Sequence, residues 1–68
     1  MNRLEQTVQR AVVNATMDSM SIACETGNKP VALSVLSDTV DMLQAGKITQ
    51  ADAECIGGIY VETFVNGH

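Results

Sequence analysis

Residues 2–25 carry a helical pattern that changes partway along, and this change limits what the chain can fold into. At about 100° per residue, Leu4, Val8, Ala11, Val12, Ala15, Ile22 and Ala23 gather on one side. Arg3, Thr7, Arg10, Asn14, Asp18, Ser21 and Glu25 gather on another and read as the solvated face. A second apolar stripe, Val13, Met17, Met20 and Cys24, spaced 4, 3 and 4, occurs only in the later half, because Asn2, Gln6 and Gln9 hold the same sector earlier. A single neighbouring helix covers one side, so the second stripe demands a third helix or another molecule.

Helix boundaries follow from the punctuation of the chain. Asn2 with Glu5 at the third helical position resembles a capping box, and Gly27 is placed to end the first helix in a left-handed conformation. In "GNKPV", Pro30 suits the first turn of a second helix capped by Asn28 or Lys29. That helix carries Leu33, Leu36, Val40 and Leu43 along one stripe, with Ser34, Ser37, Asp38 and Asp41 outward, and Gly46 closes it. Thr49 with Asp52 reads as the cap of a third helix that is apolar over much of its circumference. Gly57-Gly58 interrupts it with about 1 kcal/mol of helix penalty per glycine, either as a notch for close approach or as a kink leading into an extended tail. The expectation is one all-α domain, a helical hairpin plus a third helix over about residues 2–25, 30–45 and 50–65.

Size sharpens the consequence. A chain of 68 residues buries only about 60% of the surface its unfolded form exposes, so small domains commonly add disulfides, a metal or self-association. Cys24 and Cys55 are far apart in sequence and His68 is the sole histidine, so one chain assembles no zinc-type cluster. The two cysteines read as small apolar residues of a reducing compartment, which favours the cytoplasm. Self-association remains, and a dimer is its commonest form. The expected interface draws on Val13, Met17, Met20 and Cys24 of the first helix with Ile56, Ile59, Tyr60 and Phe64 of the third.

Charge and motif content exclude several functions. The net charge is −4, and Arg3, Glu5 and Arg10 make the first ten residues +1, leaving −5 for the rest. With Lys29 and Lys47 as the only later bases there is no basic face for phosphates, which argues against direct nucleic-acid binding. No apolar run approaches the roughly 20 residues that span a bilayer, and the N-terminus has no signal-peptide stretch. A cysteine–histidine pair would need the terminal His68, and no phosphate loop, dinucleotide fingerprint or calcium loop occurs, so neither an enzyme nor a cofactor is expected.

Two functional readings follow from the residues. In the first, the chain is a small acidic interaction protein that regulates or inhibits a larger macromolecule through protein–protein binding, a size that suits a regulator from a virus or another mobile element. In the second, an oligomer holds an anionic, nucleotide-like ligand at the start of the second helix, where Asn28 and Lys29 stand beside free backbone N–H groups.

Overall fold

The computed structural model describes residues 3–67, which form α1 (Arg3–Glu25), α2 (Lys29–Gln44), α3 (Gln50–Tyr60) and a π-helical continuation, Val61–Val65. Both inter-helix corners turn on a left-handed glycine. Gly27 (φ 66°) and Gly46 (φ 74°) follow α1 and α2, and the bonds from Asn28 N–H to Ala23 O (2.8 Å) and Lys47 N–H to Met42 O (2.9 Å) satisfy carbonyls that the helix ends leave unpaired. Thr49 then caps α3 by accepting from Asp52 N–H (3.1 Å), while the Asp52 carboxylate accepts from Thr49 N–H (3.4 Å), the reciprocal pair expected from the sequence. The Asn2–Glu5 capping box lies outside the described residues because Asn2 does.

The short connections reverse the chain twice, giving an up-down-up arrangement. Polar contacts confirm that α1 and α3 run in the same sense: Gln9 and Arg10 reach Asp52 near the start of both helices, and Cys24 Sγ donates to the Ile59 carbonyl (3.8 Å) near their ends. The centre contains Val13, Met20, Ala23, Ala32, Ile48 and Ile56, all buried. Thr39 is the buried polar residue, and its hydroxyl donates to Val35 O (2.8 Å) within its own helix, so it enters the core satisfied.

The face of α1 that points inward is the second apolar stripe, joined by Val12 and Ala23 from the edge of the first. Val13 and Met20 are 1% and 0% exposed, with Met17 and Cys24 packed against the same core, while Leu4, Val8 and Ile22 of the first stripe are 71%, 55% and 61% exposed. The sequence pattern therefore identifies both apolar faces but not which one the fold uses. Volume supplies the reason, since Met17 and Met20 fill the space between three helices whereas Ala11 and Ala15 would leave voids there. A smaller rotation affects α2, where Ala32 and Thr39 point inward and Leu33 and Val40, both expected in the core stripe, are each 47% exposed.

The α3 helix passes through Gly57-Gly58 without a break, so the kink and the extended tail do not occur. A Cβ on Gly57 would lie 3.9 Å from Leu36 Cδ1, which places α2 over this part of α3, and a Cβ on Gly58 would meet nothing within 4 Å. From Val61 the helix widens, with Asn66 N–H donating to Val61 O (2.8 Å). A wider turn advances less than 100° per residue, which swings Phe64 back toward the Ile56 side, where it packs on the core and its ring stands 5.2 Å from that of Tyr60. Because nothing opposes a side chain at position 58, Gly58→Ala is expected to raise stability by roughly 0.5–1 kcal/mol, read as a higher urea midpoint at unchanged m value.

Candidate functional site

Asp52 joins the start of α3 to α1. Its carboxylate accepts from Arg10 Nη1 (3.1 Å) and Gln9 Nε2 (3.5 Å) while it completes the capping pair with Thr49. Burial would raise this carboxyl, but the Thr49 side chain and backbone, Gln9 and the Arg10 charge together outweigh it and hold it below its ordinary range. The cluster is structural, since each carboxylate oxygen has at least one donor from the chain itself. Among the described residues no buried side-chain polar atom lacks a partner, and no three histidine, cysteine or carboxylate groups converge as a metal site would require.

The eight residues expected at an interchain interface are brought together, but inside one chain. Val13, Met20 and Ile56 are enclosed within the single chain, at 1%, 0% and 0% exposure. Met17, Cys24, Ile59, Tyr60 and Phe64 are half-buried and pack on the same core. The physical reason is the up-down-up arrangement, in which α3 itself covers the stripe of α1 that otherwise calls for another molecule.

The proposed anion seat at Asn28 and Lys29 also changes meaning. Asn28 is the cap of α2, and its side-chain oxygen accepts from Val31 N–H (3.3 Å); Lys29 N–H donates to Gly27 O (3.1 Å), Ala32 N–H donates to Asn28 O (3.0 Å), and Pro30 has no N–H. The backbone N–H groups of residues 29, 31 and 32 are therefore all paired within the chain, which leaves the exposed Lys29 ammonium as the donor of this turn. Cys55, expected as a packed residue, is exposed, and Cys24 is half-buried; both are free thiols.

The open surface is apolar in two places. On α1, Leu4, Val8, Ala11, Ala15 and Ile22 all face outward. The first turns of this helix run past the start of α3 and meet the corner between α2 and α3, where Leu4, Val8 and Val12 face Gly46 and Lys47 across a groove of about 600 Å³. On α2, Leu33 and Val40 lie two turns apart on one side, and Val61 and Val65 of the π-helical segment are also exposed. These positions escaped the sequence reading as a site because an apolar helical stripe is ordinarily core; what would have found them is the small volume of Ala11 and Ala15. Comparison of the chain with family models, curated proteins and solved structures finds no match. No helix among the described residues is long and apolar enough to cross a membrane.

Two predictions follow from these local geometries. Because the folded Asp52 carboxyl titrates below the roughly 3.9 of an unperturbed aspartate, its stabilisation is complete above that pH and fades as pH falls through the lower folded value. Asp52→Asn is expected to cost about 1 kcal/mol at neutral pH, and urea melts are expected to show the gap from wild type narrowing below about pH 4; a gap independent of pH contradicts the assigned role of the charge. Inorganic phosphate or a nucleotide is expected to leave the melting temperature unchanged in both wild type and Lys29→Ala, since the α2 start has no free backbone N–H to join the Lys29 ammonium in holding an anion.

Proposed function

We propose that this chain is a self-associating, non-catalytic interaction protein, an acidic helical regulator or inhibitor that binds a larger macromolecule and occludes part of its surface. The observation that carries the reading is α1, a helix with apolar residues on opposite sides of which the chain covers one and leaves the other open. Leu4 at 71% and Val8 at 55% exposure share one face with Ala11 and Ala15, and Ile22 at 61% lies further along it beyond Asp18; exposed apolar patches of this kind mark interaction sites.

Two open apolar strips permit two occupants. One serves self-association, and the strip on α2 that includes Leu33 and Val40 serves the regulated macromolecule. The net charge of −4 favours a partner with a basic rim, since complementary charge speeds encounter and selects among partners. In this reading the protein acts in the cytoplasm, uses no cofactor and makes no direct contact with nucleic acid.

The test is affinity capture from the native host with wild type and with the Leu33→Asp/Val40→Asp double variant in parallel, followed by assay of whatever macromolecule the wild type alone retains. Adding the purified chain is expected to lower that macromolecule's activity at near-stoichiometric concentration. Equal retention by both proteins, or retained activity in the presence of excess chain, overturns the proposal.

A further inference from the structure

The outer face of α1 carries a heptad seam. Leu4, Val8, Ala11, Ala15, Asp18 and Ile22 follow one another at steps of 4, 3, 4, 3 and 4, and each is exposed. The buried Val13 and Met20 lie seven residues apart on the opposite side of the same helix, so folding of the single chain points the seam outward along its length. We infer that a second copy of this chain occupies the seam, its α1 antiparallel to the first about a two-fold axis level with residue 13. This inference rests on the reading of the protein as self-associating and specifies the surface and the direction.

Three observations select that occupant and that direction. A two-fold axis requires a self-complementary surface, in which residue i meets j and j meets i. Antiparallel pairing at this register sets Leu4 against the second copy's Ile22, Val8 against its Asp18 and Ala11 against its Ala15, so that the outermost apolar residues meet each other and two small residues meet at the middle. Alanines there let helix axes approach to the lower end of the usual range of about 8–10 Å.

Charge is distributed to suit the same arrangement. The earlier half of the helix has Arg3, Glu5 and Arg10, a net +1, with Glu5 and Lys47 both lining the groove, and the later half has Asp18 and Glu25 and no base. Antiparallel pairing brings Arg3 toward the second copy's Glu25 and Arg10 toward its Asp18, and the axis repeats both pairs. Arg10 already donates one nitrogen to Asp52 and is 60% exposed, and a guanidinium has further N–H groups to give. Parallel pairing would instead set arginine against arginine and carboxylate against carboxylate, which is unfavourable across an interface.

Shape agrees as well. The long axis of the molecule is 42 Å, and the 23 residues of α1 span about 35 Å of it at 1.5 Å per residue, so an antiparallel partner can lie along most of the long face. The outer turns of α1, with Leu4 and Val8, then rest on the body of the second copy near its Ile22.

The experiment uses sedimentation of the full chain over a dilution series, with circular dichroism to check the fold. Ala11→Glu, exposed in the single chain and helix-compatible, is expected to weaken the dimer by about 100-fold or more at unchanged helicity. Arg3→Glu is expected to weaken it by roughly fivefold, and adding Glu25→Arg to the same chain is expected to restore it. In a Cys24→Ala/Cys55→Ser background, a short thiol cross-linker is expected to join a Leu4→Cys chain to an Ile22→Cys chain when the two are mixed, and neither to itself.

Self-joining of Leu4→Cys chains overturns the antiparallel direction. A dimer that survives Ala11→Glu overturns the seam while leaving self-association standing. A wild-type chain that sediments as a monomer throughout overturns both.

Discussion

The structure depends on the rotation of α1 that puts Val13, Met17 and Met20 against Ile56 and its neighbours. A helix with two apolar sides can enter a core either way round, and burial of comparable area favours neither strongly. Packing density separates them. Three helices meeting at one line need long side chains at the crossing, and the methionine stripe supplies them where the alanine stripe cannot. The polar clasp acts in the same direction, because Gln9 and Arg10 reach Asp52 only when this side of α1 is turned toward α3.

From that rotation the remaining surface follows. Once the methionine side is inside, Leu4, Val8, Ala11, Ala15 and Ile22 must face out, and the length of α1 carries its first turns beyond the start of α3. The domain is thereby closed on itself and yet displays an organised apolar seam. The buried and the open apolar residues stand on opposite sides of one helix, so substitutions on the open side can be made without disturbing the core.

The ends of the helices show local chemistry at work. Gly27, Gly46 and the Thr49–Asp52 pair were all legible in the sequence, because each acts through its own backbone within a few residues. The widening at Val61 was not legible, since it answers a demand from elsewhere in the fold that Phe64 turn toward the core. The surroundings of Asn28 show the same dependence on neighbouring bonds. Asn28 was correctly read as a possible cap, but the same cap bond that starts α2, with the turn bonds around it, uses the donors a ligand would need.

By itself the sequence determined the all-helical class, the number of helices, their ends and the presence of two apolar sides on the first, because periodicity, caps and left-handed glycines are short-range properties. Only the tertiary structure decided which side of α1 became core, that Val13, Met20 and Ile56 belong within one chain, and that Gly57 lies beneath Leu36. Those outcomes depend on how volumes from three separated segments fill a common space. Hydrophobic spacing records where apolar residues stand and not how large a gap they must fill.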